Sequence, residues 1–333
     1  SPGNNDGGNT GTPGNDGKPG NGGTQGGDNG DQEVDPAVAT VSSLSELNEA
    51  LANNKVTTIK LNADIENLSE RIVINRPVTI DGNGKTISFT DEINTKTYGS
   101  RHGILVQSDN VTIKDLSVVL TEKAEWQGAY AVQVYNAKNV TLHNFSGTNA
   151  DAALLVNGST VELTGKTVIS GNEFGGIEVS QGTGLSNQSK LTVTSTIENT
   201  TEQYGQPSIW VVNGQGSVDG EVPTTVDTLI NSEQTQYYIS ETAVSTKNVN
   251  TVEDLKIALT NDKIKTIKLA NDIKTSERII VNRSVTLDGA NHKITFEGDA
   301  KDAWNSNYII QVYNTADVTI RDIKLTGGDA ALL

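Results

Sequence analysis

The chain repeats itself with a break in phase, and this constrains its fold more than any other feature. Residues Ser69 to Gly82 read SERIVINRPVTIDG and return as Ser276 to Gly289, SERIIVNRSVTLDG, with 10 of 14 positions identical at an offset of 207. Upstream, TTIKLNADI (57 to 65) returns as KTIKLANDI (265 to 273). Downstream the offset falls to 178: AVQVYNAKNVTLHNF (131 to 145) pairs with IIQVYNTADVTIRDI (309 to 323), and DAALL (151 to 155) with DAALL (329 to 333). The difference, 207 − 178 = 29, is the length of one unit that the second copy lacks. A sandwich built of hairpin pairs would not lose a whole unit so cleanly.

The same unit is visible inside the first copy. GILVQSDNVTIKDLS (103 to 117) resembles AVQVYNAKNVTLHNFS (131 to 146), and Val140 follows Val111 at that same interval. Each copy is a short apolar strand, a turn containing Asn or Asp, and a second strand of the form Val-Thr-Ile/Leu. Alternating β-branched residues mark strands, and Asn, Asp and Gly between them mark tight turns. Short strands recurring at such a regular period without intervening helices imply stacked coils of a parallel β-solenoid.

One helix is expected per module. Ser43 to Glu46 has capping-box form and is followed by Leu44, Leu47, Ala50 and Leu51 at helical spacing. Thr251 to Asp254, with Val252, Leu255, Ala258 and Leu259, repeats the pattern. Both precede a TIKL strand, where an amphipathic helix would cover the open first coil.

Composition changes sharply near Val34. No hydrophobic residue occurs in positions 1 to 33, and Gly recurs throughout that segment without the every-third-position period of collagen. Such a segment cannot bury a core. The expected division is a flexible linker over 1–36, β-helix module 1 over 37–247 and a truncated module 2 over 248–333, whose early stop suggests a piece of a longer repeat protein. The 25 Lys and Arg stand against 41 Asp and Glu, a net charge of −16, which repels a phosphate backbone and argues against nucleic acid. With no Cys, thiolate chemistry and disulfides are absent. No run of about 18 apolar residues suggests membrane insertion.

INRPVTIDGNGKTISF (74 to 89), followed by NVTIKDL-like coils, resembles the right-handed parallel β-helix of the pectate lyase-like superfamily. The tandem helix-capped modules and low-complexity linker are most similar to the pectate lyase-like adhesive domains of Gram-positive surface proteins. The resemblance covers residues 40 to 333. It implies an all-β solenoid, secretion or cell-surface display, and adhesion to a polysaccharide, a glycoconjugate or a host surface protein. The alternatives are a polysaccharide lyase or glycoside hydrolase of the same fold, or a structural spacer, since one fold carries many functions.

A lyase acting on an acidic polymer needs a cation, usually Ca²⁺ held by clustered carboxylates, and an Arg or Lys base. Asp81, Asp288, Asp115, Asp322, Asp151 and Asp329 are the candidate carboxylates, but none forms the stacked set with a neighbouring Arg that the lyase families display, and turn formation is their expected role. No catalytic residue and no cofactor is therefore assigned, although the resemblance leaves Ca²⁺ open. His102, His143 and His292 lack metal-ligand spacing. The Thr at the centre of six of seven Val-Thr-Ile/Leu-like triplets (Thr79, Thr112, Thr141, Thr192, Thr286 and Thr319, with Glu162 the exception) should face outward as an ordinary solvent-facing strand residue.

The aromatic residues single out one surface. Trp126, Tyr130 and Tyr135 recur at identical spacing as Trp304, Tyr308 and Tyr313, beginning in polar connections where a Trp has no evident core to enter. Rings on a solenoid flank stack against the apolar faces of sugars, so these six are the candidate ligand-binding residues; the alternative is that the Trp folds back over its own coil.

Overall fold

The computed structural model describes residues 37–123, 125–227, 235–298 and 306–333. The linker over 1–36 and Trp304 lie outside the described residues. What is described is a parallel β-helix in two consecutive modules, with coils of three strands that stack into three faces.

In module 1 the first face stacks Val38–Val41, Thr58–Leu61, the start of Thr79–Phe89, the start of Thr112–Val119, Val140–His143, Thr160–Thr164, Ser189–Val193 and Gly216–Gly220. The second stacks Ile65–Leu68, the ends of the two long strands, Ser146–Thr148, Lys166–Ser170 and Thr196–Asn199. The third stacks Ile72–Ile74, Ile104–Val106, Tyr130–Tyr135, Ala152–Asn157, Gly175–Ser180 and Ile209–Val212. All these pairings are parallel, and their register gathers like residues into columns: Ile80, Ile113, Leu142 and Leu163 on the first face, Val106, Val134, Val156 and Val179 on the third, all buried. Parallel β-structure buried in this way stabilises by about 25 cal/mol per Å² of apolar surface removed from water.

The corners explain the recurring NVTIKD signature. Asn110 and Asp115, Asn139 and Asn144, and Asp317 and Asp322 flank equivalent first-face strands, and all six have positive φ, between 48° and 58°. Asn and Asp tolerate this left-handed turn better than other side chains. They also stack: Asn139 Nδ2 donates to Asn110 Oδ1 at 2.7 Å, and Asn144 Nδ2 donates to Asp115 Oδ1 at 2.9 Å. The Thr column faces outward as expected, from Thr58 through Thr79, Thr112 and Thr141, before Glu162 and, beyond Thr192, Asp219 interrupt it.

Helices α1 (Leu44–Ala52) and α2 (Val252–Leu259) form where the capping boxes place them: Ser43 Oγ accepts from Glu46 N at 3.2 Å and Thr251 Oγ1 from Asp254 N at 3.1 Å. Their position differs from a lid laid before the first strand. Strands Val38–Val41 and Thr246–Val249 precede the helices and pair with the TIKL strands, so each helix replaces the second and third faces of its first coil. Leu47 and Ala50 are buried, whereas Leu44, at the first helical position, is exposed. Module 1 ends differently from its stack: Thr235–Tyr238 pairs antiparallel with Ile209–Val212, which stops the parallel ladder.

Module 2 repeats the three faces over fewer coils, and within the stretch that aligns with module 1 it is shorter by one full turn. First-face strands advance 79, 112, 141 in module 1 but only 286, 319 in module 2, and the third-face strand Ile279–Val281 pairs directly with Tyr308–Val312. In module 1 the strand Ile104–Val106 intervenes between the equivalent Ile72–Ile74 and Tyr130–Tyr135.

Candidate functional site

On the third face of module 1 the register aligns Leu105, Gln133, Leu155, Glu178 and Trp210 in one column, and Tyr135, Asn157 and Ser180 in the next. Their neighbours Val132, Val134, Leu154, Val156, Ile177 and Val179 fill the core, so alternation turns the polar members outward. Ala131 and Val132 both enter the core; the alternation slips at the start of this strand, and Tyr130 joins an outer cluster with Ala152, Leu155, Trp210 and Tyr237.

The outward polar groups form one hydrogen-bonded chain. Gln133 Nε2 donates to Asn157 Oδ1 at 2.9 Å, Asn157 Nδ2 donates to Ser180 Oγ at 2.9 Å, and Ser180 Oγ donates to Glu178 Oε1 at 3.0 Å. The Tyr130 hydroxyl donates to the other carboxylate oxygen of Glu178. Gln133 is 6% exposed and its Oε1 has no partner. A buried acceptor left unpaired costs about 1–3 kcal/mol.

This chain lies in a groove of about 480 Å³. Tyr98, Gly99 and His102 form one wall, and residues 180–183 and Gln215 form the opposite side. Tyr98 and Trp126 rim it, and an aromatic cluster continues beyond: Trp126 meets Tyr130 edge-on at 5.9 Å between centroids and Phe174 at 5.2 Å, and Phe174 meets Trp210 at 6.2 Å. Trp126 Nε1 also donates to the Tyr98 hydroxyl at 3.4 Å. Tyr98, Trp126 and Phe174 remain 58%, 40% and 46% exposed, which leaves ring surface available for contact. The loop carrying Trp126 is held by Asp151, which accepts from Gln127 N at 3.1 Å and Ala129 N at 2.6 Å.

Burial sets the protonation states. It raises Glu178 above the usual carboxylate range against the opposing hydrogen bonds from Tyr130 and Ser180. Burial and then the adjacent Glu178 charge push the Tyr130 phenol well up, so Tyr130 keeps its proton and donates. Burial, reinforced by the Arg71 charge, lowers His102 to about 3; its Nδ1 accepts from Tyr130 N at 3.2 Å, which leaves a neutral imidazole with its proton on Nε2.

Of the six aromatic candidates, Trp126, Tyr130 and Tyr135 come together on this groove. Trp126 sits at the rim, Tyr130 is 3% exposed in the wall, and Tyr135 donates its hydroxyl to Thr183 O at 2.8 Å. Tyr308 lies under the Arg278 guanidinium at 5.3 Å, and Tyr313 is 59% exposed. Gln133, Asn157, Ser180 and Glu178 were not among the sequence candidates. They are isolated polar positions in otherwise apolar strands, Glu178 and Ser180 sharing one strand, and only the register reveals that they form neighbouring columns.

The aspartates act in turns. Asp81 and Asp288 accept from the amides of Asn83 and Ala290 at 2.9 and 2.8 Å and pair with Lys114 and Arg321. Asp329 repeats the role of Asp151, accepting from Asn307 N at 3.0 Å. Among the described residues no three His, Asp or Glu side chains gather as metal ligands.

The coil geometry defines a pectate lyase-like β-helix. The model of the pectate lyase-like adhesive domain matches residues 38–210 and 246–332, and the chain belongs to that family. Two solved structures resemble the chain distantly. An alginate lyase from Paenibacillus sp. has 13% identity and a TM-score of 0.35, covering 88% of this chain and 99% of that one. SRRP of L. reuteri 53608 has 16% identity and a TM-score of 0.29, covering 88% and 98%. No curated protein matches the chain.

Proposed function

We propose that the protein is a non-catalytic, surface-displayed or secreted adhesive that holds a carbohydrate chain in the third-face groove of module 1. The observation that carries this reading is the pairing of exposed rings at the rim with a connected polar chain on the floor. Sugars present apolar faces to rings and hydroxyls to polar groups, and the groove offers both within one volume. Membership of the adhesive-domain family points the same way. Among the described residues no helix is long and apolar enough to cross a membrane.

The chemistry of the groove argues against a lyase. Proton abstraction beside a uronate needs a base with an accessible free pair and a cationic group against the carboxylate. The groove lining includes no Lys or Arg, and Tyr130, buried beside Glu178, holds its proton. Screening the full chain against a glycan array, with Trp126→Ala and Tyr98→Ala beside it, tests the adhesive reading. Retention lost in the variants at an unchanged melting temperature supports it. Retention on no glycan, or appearance of unsaturated product from polygalacturonate, overturns it.

A further inference from the structure

We infer that the groove selects uncharged, hydroxyl- or acetamido-bearing glycan over uronic acid polymers, and that module 1 alone carries this site. The inference rests on the glycan-binding reading above and names its substrate class.

Two observations give the chemistry. The floor has unused hydrogen-bonding capacity of both kinds: the Gln133 and Asn157 amides each use one of their two N–H donors, and acceptors are left over as well. Gln133 Oε1 is unpartnered, and the Glu178 carboxylate accepts one bond on each oxygen, which leaves a free lone pair on each. A ligand that completes this floor brings groups that both donate and accept, as sugar hydroxyls and acetamido groups do and an ionised carboxylate does not. A uronate brings a second carboxylate instead, into a lining whose charged member is Glu178, with Arg71 bonded to Gly99 O and Arg101 over the Tyr98 ring both behind the wall, on a chain of net charge −16. Like charges in a partly buried groove repel with little screening.

The module assignment follows from the extra coil. Tyr98, Gly99 and His102, which form one wall, lie between Phe89 and Trp126, within the stretch where module 2 is one unit shorter. Without that coil, strand Ile279–Val281 meets strand Tyr308–Val312 directly, and Arg278 Nη1 donates to Gln311 Oε1 at 3.1 Å. Gln311 aligns with Gln133, so the acceptor left open in module 1 is already satisfied in module 2. Arg278 also lies over Tyr308 and covers the ring that aligns with Tyr130.

The test uses the full chain against soluble β-glucan, galactan and chito-oligosaccharides on one side and polygalacturonate and alginate on the other, at one ionic strength. At least one uncharged probe should bind about tenfold or more tightly than either uronate, a difference of about 1.4 kcal/mol, with a stoichiometry of one site per chain. Tyr98→Ala should weaken that binding by about tenfold or more and Arg278→Ala should leave it unchanged. Glu178→Gln should narrow the gap by improving uronate binding. Tighter binding of polygalacturonate or alginate, or two equivalent sites, would overturn the inference while leaving glycan adhesion intact; binding of no probe would remove both.

Discussion

Gln133 and Gln311 occupy the same place in the two modules, yet only Gln311 has its side-chain carbonyl satisfied, by Arg278 at 3.1 Å. The residue aligned with Arg278 is Arg71, which instead donates from Nη1 to Gly99 O at 3.3 Å because an additional coil separates it from Gln133. One inserted turn of solenoid therefore turns a self-satisfied surface into an open groove without changing either side chain of the repeated Arg and Gln pair.

The repeated INR and VNR motifs clamp the helices to the solenoid. Arg76 donates to the carbonyls of Leu51 at 2.7 Å, Ala50 at 2.9 Å and Val56 at 2.7 Å, and Arg283 donates to Leu259 at 2.7 Å and Ala258 at 2.9 Å. The guanidinium fork thus satisfies carbonyls at the C-terminal ends of α1 and α2 that the helices cannot. Arg76→Ala should cost about 2–4 kcal/mol, read as a lowered urea midpoint. Arg76→Lys should recover less than half of it, since an ammonium cannot span three carbonyls.

The glycine of the repeated Asp-Gly pair is required by close approach. A Cβ on Gly82 would lie 2.4 Å from Asp115 O, and one on Gly289 2.4 Å from Asp322 O. Neighbouring Gly84 has φ of +75° with nothing within 4 Å, so its demand is conformational. Gly82→Ala should destabilise by about 1–3 kcal/mol or more through displaced backbone, whereas Gly84→Ala should cost about 1 kcal/mol. Equal midpoints for the two variants would show that the coils are not held this tightly.

His102 gives the fold an acid-sensitive component. Its value in the folded chain, about 3, lies below the ordinary 6.5, so the unfolded chain takes up the proton first. Its contribution is complete above pH 6.5 and is lost as pH falls toward 3, about 3 kcal/mol of it by pH 4. Glu178 and Asp151, both raised by burial, oppose this by gaining stability as they protonate. His102→Asn should therefore flatten the decline in stability between pH 6.5 and 4 relative to wild type, measured by urea unfolding at each pH. A parallel decline would show that His102 is not held neutral.

The solenoid was legible because its coils are near-copies: an offset that drops from 207 to 178 counts a missing turn before any strand is placed. Capping boxes at Ser43 and Thr251 located the helices, but not the strands Val38–Val41 and Thr246–Val249 ahead of them, which are too short to carry a periodic signal. Trp126 stood out because a Trp in a polar connection is unusual. Gln133 and Glu178 did not, since a polar residue between apolar neighbours in AVQVY or GGIEVS reads as ordinary alternation. Their relation is a register carried across two coils, and it depends on the lengths of the intervening turns. Tyr130 was expected at the surface. A slip in alternation beside Ala131 turns it out of the core, and Trp126 and Glu178 then cover it.

Hydrogen exchange of the full chain, with and without a saturating oligosaccharide from whichever glycan retains it, tests glycan binding in the groove most directly. Added protection should fall in residues 98–103, 126–135 and 178–183 of module 1, with none in the aligned 306–313 of module 2. Protection confined to the Thr-lined first face, or equal protection in both modules, would contradict binding in the third-face groove.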